Sequence, residues 1–120
     1  PKVLAMMEFV RQTDPTFYYG GPYLILGTIE GSMPQVLGGR PEKAREYFER
    51  ALEVNRGKFL LTYVYFAKTY AVQMQDQELF ESLLKIVDEA SPDILPEARL
   101  SNAIAKKKAK LLRERVNDLF

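Results

Sequence analysis

The chain has 120 residues, of which 47% are hydrophobic and 28% charged, and its formal net charge is +1. This length and composition predict a single domain with a real hydrophobic core. Histidine, cysteine and tryptophan are absent from the sequence, which excludes zinc sites built on Cys or His, thiol nucleophiles and imidazole bases. No run in the sequence approaches the roughly 20 apolar residues that a membrane-spanning helix needs.

Helical periodicity predicts a first helix from about Lys2 to Thr13. Asp14 ends it, because a residue that precedes a proline is disfavoured in the α region. Since this helix begins with nothing ahead of it to cap it, we expect residues 1–120 to be a single helical-repeat domain that forms the C-terminal part of a longer protein. We expect any targeting signal or membrane anchor to lie in that upstream part.

The second predicted helix, Thr16 to Glu30, is rich in aromatic residues at its start. Its Leu26-Gly27 pair matches the Leu-Gly pair of the first helix of a tetratricopeptide repeat, in which the next conserved small residue follows after about 12 residues. Here Ala44 follows Gly27 after 17 residues. The surplus lies in the loop over residues 31–39, and insertions in repeat arrays fall in loops that are often on the binding face.

The third predicted helix starts at Pro41 and ends at Asn55 to Gly57. Its residues Ala44, Phe48 and Ala51 have the small, aromatic, small spacing of the second tetratricopeptide helix. A weaker echo with the same spacing begins 35 residues later, at Leu79, Leu83 and Ile86. The tetratricopeptide period is about 34 residues, so the two segments predict stacked helical hairpins.

The fourth predicted helix, Lys58 to Gln73, is apolar nearly all round and must therefore be covered on more than one side. One interpretation is a central helix between neighbouring helices. The other is a pocket for an apolar or amphipathic ligand, because such pockets combine apolar walls with a few polar groups such as tyrosine hydroxyls. The candidate lining residues from the second and fourth helices are Tyr18, Tyr19, Tyr23, Leu61, Tyr63, Val64, Tyr65 and Lys68.

The fifth predicted helix covers Gln77 to Ala90 with Asp76 as its N-cap, and a long last helix covers Glu97 to Phe120. Asn102 lies on the apolar side of the last helix, where it would cap a backbone group or contact a ligand. The opposite side carries a basic stripe, which is either a solvated helix face or a binding site for an acidic partner protein. The stripe comprises Arg99, Lys106, Lys110 and Arg113.

No strand or hairpin pattern competes with these helices, so the sequence predicts an all-α fold, an array of about six helices in antiparallel, tetratricopeptide-like hairpins. The glycine pairs lack the flanking residues of a phosphate-binding loop, and no set of side chains forms an acid–base or nucleophilic centre. We therefore expect no enzyme activity, no catalytic residues, no cofactor and no metal site. The near-neutral charge, without aromatic residues interleaved in the basic cluster, also argues against nucleic-acid binding.

Four blocks, taken in order, resemble the T component of TRAP transporters, the TatT family. Together they cover nearly the whole chain. The blocks are Asp14-PTFYYGGPYLILG, Gly38-GRPEKAREYFERALE, Gly57-KFLLTYVYFAKTYAVQMQDQELFESLL and Leu100-SNAIAKKKAKLL. The resemblance implies a periplasmic lipoprotein of degenerate tetratricopeptide-like hairpins, assembled as a homotrimer. It also implies association with the solute-binding (P) subunit of a tripartite ATP-independent transporter and a cleft suited to a small hydrophobic ligand. The alternative is a general tetratricopeptide scaffold that binds a peptide segment of another protein.

Overall fold

Six α-helices joined by short turns form the described part of the chain. The computed structural model describes residues 5–6 and 17–120, and no strand occurs among them. The all-α prediction is therefore confirmed, whereas the first predicted helix lies outside the described residues except for Ala5 and Met6, which are helical. The helices are α1 (Phe17–Ser32), α2 (Pro41–Asn55), α3 (Leu61–Tyr65), α4 (Gln77–Glu89), α5 (Arg99–Glu114) and α6 (Val116–Leu119).

Helix α1 begins with a kink and then packs closely on α2. Tyr18, Tyr19 and Gly20 have left-handed backbone angles, with φ of 46°, 59° and 82°. Further along, a Cβ at Gly27 would lie 3.1 Å from the ring of Phe48. A methyl group there would require the ring to shift by a few tenths of an ångström, so the glycine favours this close approach.

Helix α2 agrees with the sequence prediction at both ends and on its buried face. Pro41 lies in the first turn, and the left-handed residue Arg56 follows the last turn, with φ 55°. Ala44, Phe48 and Ala51 are fully buried, as their spacing predicts.

Helix α3 is the central helix of the described part, and that interpretation of its apolar sequence is confirmed. It contacts α1, α2, α4 and α5. It begins at Leu61 rather than Lys58, and it continues as a π-helical segment over Phe66–Ala71. In this segment the Thr69 hydroxyl donates to the carbonyl of Tyr65 at 2.6 Å.

The predicted echo of the α2 pattern in α4 is wrong in its register. Ile86 is 44% exposed, and the buried face consists instead of Phe80, Leu83, Leu84 and Val87. These four large apolar side chains form a wider apolar stripe than the three residues of the echo, and the wider stripe sets the orientation of the helix. The predicted N-cap is confirmed, since the Asp76 side chain accepts a hydrogen bond from the Leu79 amide at 3.1 Å.

The last predicted helix, Glu97 to Phe120, is not continuous. Residues Pro96–Ala98 form a 3-10 turn, α5 ends at Glu114, and Arg115 leaves the helical conformation, with φ −102° and ψ 9°. Beyond the break, the end of the chain contacts the start of α4. There the Phe120 ring lies 5.1 Å from the ring of Phe80, centroid to centroid. The array of repeated hairpins and the single-domain organisation stay predictions.

Candidate ligand pocket

A surface pocket of about 170 Å³ lies between α3 and α5. Three of its lining residues come from α3 and its π-helical segment, and the others come from α5 and the residue that follows it. They are Val64, Tyr65, Lys68, Lys108, Leu111, Leu112 and Arg115.

Small residues form the buried side of α5, next to the residues that line the pocket. Ala105 and Ala109 are fully buried in the core beside Leu112. Lys108, Leu111 and Arg115 follow the helical spacing i, i+3 and i+7, which puts them on one side of α5. Helical periodicity therefore puts the alanines on the buried side of α5 and the three pocket residues together on a neighbouring side.

The pocket combines an apolar floor with a positively charged rim. Val64 and Leu112 are buried, while Leu111 is 52% exposed. Lys68, Lys108 and Arg115 are exposed. Within residues 17–120 none of these three cations forms an ion pair with a carboxylate, and the Lys68 ammonium lies 5.9 Å from the centre of the Tyr65 ring. The arrangement presents uncompensated positive charge above apolar surface.

Three of the candidate ligand residues, Val64, Tyr65 and Lys68, meet in this pocket, whereas the other aromatic candidates lie elsewhere. The ring of Tyr19 stacks on Phe59 at 5.2 Å, and Tyr18 meets the edge of the same ring at 5.9 Å. Tyr23 lies 6.3 Å from Tyr47, centroid to centroid. The aromatic residues thus form separate clusters rather than one lining.

Two further candidates on α3, Leu61 and Tyr63, are half-buried and pack against the core. The hydroxyl of Tyr63 lies beside Gly57 in the turn that follows α2. Burial raises the pKa of this phenol above its ordinary value, because the charged phenolate would lose hydration. Neither residue lines the α3–α5 pocket.

Asn102 holds the start of α3 against α5. Its side chain is fully buried, and its carbonyl oxygen accepts a hydrogen bond from the Leu60 amide at 2.9 Å. Its amide group donates to the carbonyl of Lys58 at 2.9 Å and to that of Pro92 at 3.4 Å. These contacts are those of the capping interpretation, and Asn102 is not among the lining residues of the pocket.

The basic stripe is largely occupied by contacts within the fold. The Lys106 ammonium donates to the carbonyls at the end of α4, at 3.1 Å from Val87, 2.7 Å from Asp88 and 2.6 Å from Ala90. Arg99 pairs with Asp93, and Arg113 pairs with Asp88. Lys110 is exposed and, within residues 17–120, has no carboxylate partner. A role of the stripe in partner binding stays a prediction, and Lys110 is its most available member.

Sequence reasoning missed the contribution of the last helix to the pocket. The residues concerned are Lys108, Leu111, Leu112 and Arg115. In the sequence these two cations and two leucines have helical spacing, which indicates a face of the helix distinct from the basic stripe. What the sequence lacked was any sign that this face lies opposite Lys68.

Two other depressions in the described part are more polar. One, of about 370 Å³ at the start of α4, is lined by Asp76, Glu78, Leu79 and Ser82. The other, of about 310 Å³ along α2, is lined only by charged side chains, of which Arg45 pairs with Glu49 and Arg50 with Glu53. Over the described ranges, no helix has the length and apolar character needed to cross a membrane, and no cluster of acidic residues could hold a metal ion.

The sequence model of a family described as TRAP transporter T-component matches residues 1–120, the whole chain. No curated protein matches the chain.

Proposed function

Because the chain belongs to the TRAP transporter T-component family, we propose that it is a non-enzymatic accessory subunit that docks the solute-binding subunit of such a transporter. The observation that supports this proposal is the match of the family over the whole chain. The helical fold is compatible with it, since helical arrays present extended surfaces to partner proteins. In this proposal the protein acts in the periplasm, anchored by a lipid on a segment upstream of residue 1, and assembles as a trimer.

The second part of the proposal is that the protein holds a small ligand with apolar character. The α3–α5 pocket supports this part, because it joins apolar floor residues to polar groups at its rim. The pocket is small and lies at the surface, so it would take a compact molecule or one end of a longer one.

The docking proposal is tested by calorimetry with the full-length protein and the solute-binding subunit of the same TRAP system. We expect a dissociation constant in the micromolar range or tighter, and a change in affinity when the transported solute is added. A solute-binding protein from an ATP-driven transporter is the control partner and should give no binding heat. If the two partners behave alike, or if neither binds, the docking role is wrong and the chain is a general helical scaffold for another protein.

A further inference from the structure

The three cations of the α3–α5 pocket have no acidic partner in the described part. This sets Arg115 apart from most arginines there, while Lys68 and Lys108 share it with the exposed Lys107 and Lys110. Arg40 pairs with Glu30, Arg50 with Glu53 and Arg113 with Asp88. By contrast, Lys68, Lys108 and Arg115 line one pocket together, and no carboxylate of residues 17–120 forms an ion pair with them. Like charges around one pocket repel each other, and an anion between them would relieve that repulsion.

The floor of the same pocket adds a second requirement on the ligand. Val64, Leu111 and Leu112 present apolar side chains to it. Its volume of about 170 Å³ is close to that of the roughly 150 Å³ cavity known to hold a benzene molecule. An inorganic anion would leave this apolar surface in water, whereas a short hydrocarbon chain would cover it.

We propose that the α3–α5 pocket binds an organic anion with a short apolar chain. The carboxylate or phosphate head lies among Lys68, Lys108 and Arg115, and the chain lies on Val64, Leu111 and Leu112. Arginine and lysine favour such heads through charge-assisted hydrogen bonds. The inference deepens the ligand-holding part of the proposed function and does not depend on the docking part.

The test is calorimetric titration of the full-length protein, without any partner, using octanoate and octyl phosphate as probes. Saturable binding at millimolar concentration is expected for at least one of them, and the stronger probe identifies the preferred head group. Octanol has the same chain without the charge, and acetate has the charge without the chain. Both should bind at least about tenfold more weakly, since each meets only half of the pocket.

Two double variants separate the pocket from general surface charge. K68A/K108A removes two lining cations and should weaken binding of the preferred probe by about tenfold or more. K58A/K107A removes the same charge from exposed positions that do not line the pocket, and it should change affinity by less than about twofold. Circular dichroism of both variants checks that the helices are intact.

Three results would overturn the inference. If both double variants weaken probe binding equally, the effect comes from general surface charge and not from the pocket. If octanol binds as tightly as the anionic probes, the site recognises only the apolar chain. Absence of saturation with both anionic probes would mean that the pocket takes no ligand of this class. The docking measurement stays independent, because it uses the solute-binding subunit and none of these probes.

Discussion

A single buried amide, that of Asn102, bonds to three backbone groups in two other segments of this protein. It accepts from Leu60 and donates to Lys58 and Pro92. Burying an amide is costly unless its donors and acceptor are used, and here they are. The side chain thus satisfies groups at the start of α3 that have no partner within the helix.

Replacing Asn102 with alanine should lower the free energy of unfolding by about 1–3 kcal/mol, because it leaves buried backbone groups unpaired. Urea denaturation followed by circular dichroism measures the change. Ser101→Ala, at the neighbouring and partly exposed position, is the control and should shift stability by less than about 0.5 kcal/mol. Unchanged stability of Asn102→Ala, together with weaker binding of an anionic probe, would instead support the ligand role predicted from the sequence.

At the scale of elements, the contact between α1 and α2 depends on the absence of a side chain at Gly27. A methyl group there would lie 3.1 Å from the ring of Phe48, and that ring is stacked on Phe66 at 4.9 Å. Since both rings are in the core, neither can move freely to make room.

Gly27→Ala should therefore destabilise the protein by about 1–3 kcal/mol, the usual cost of overpacking a core. The same change at Gly21 offers a matched control on the same helix. There the added methyl group would meet Tyr18 at 3.6 Å, an ordinary contact, and alanine is favoured over glycine in a helix by about 0.5–1 kcal/mol. Thermal or urea unfolding measures both variants, and Gly21→Ala should be the more stable. The opposite order, or equal stability, would contradict this description of the helix contact.

The sequence predicted those elements whose signals are local. The Pro41 start, the buried face of α2 and the Asp76 cap each depend on residues within one or two turns. The π-helical segment and the break at Arg115 were not predicted, because neither has a distinct local pattern. The break at Arg115 is followed by a contact with another helix, that of Phe120 with Phe80, which a local pattern does not reveal.

The candidate pocket was predicted only in part, for a similar reason. Helical spacing on α3 put Val64, Tyr65 and Lys68 on one face, and the structure has them in one pocket. Their partners on α5 lie about 40 residues away in sequence, and periodicity within a helix says nothing about which face another helix will meet. The prediction also put Tyr18 and Tyr19 in the same lining as Tyr65 because all are tyrosines, whereas both pack on Phe59.

At the scale of the whole molecule, the loop between α1 and α2 exposes two large apolar side chains. Val36 is 90% exposed and Leu37 is 71% exposed. They belong to a 3-10 turn over Gln35–Leu37 that is closed by hydrogen bonds from the amides of Leu37 and Gly39 to the carbonyl of Pro34, at 2.9 and 3.0 Å. Apolar side chains presented on a closed turn are suited to contact with a partner protein.

The double variant V36D/L37D should leave the free energy of unfolding within about 0.5 kcal/mol of the parent, because nothing buried is lost. We expect it to weaken binding to the solute-binding subunit by about tenfold or more, measured by the same calorimetry. L100D/I104D, which alters two exposed apolar side chains of α5, is the matched control. If the control loses affinity and the loop variant does not, docking uses the last helix instead.

The π-helical turn of α3 also has a consequence for how this sequence can change over time. A π turn holds one residue more than an α-helical turn, and each residue of an α-helix rotates the chain by about 100°. Loss of one residue between Thr69 and Ala71 would therefore convert the segment to regular helix and rephase the side chains that follow. The pocket residues Val64 and Tyr65 precede the π-helical segment, whereas Lys68 lies within it. A single-residue deletion there would thus shift Lys68 and the core residues that follow it, while Val64 and Tyr65 kept their positions on the helix.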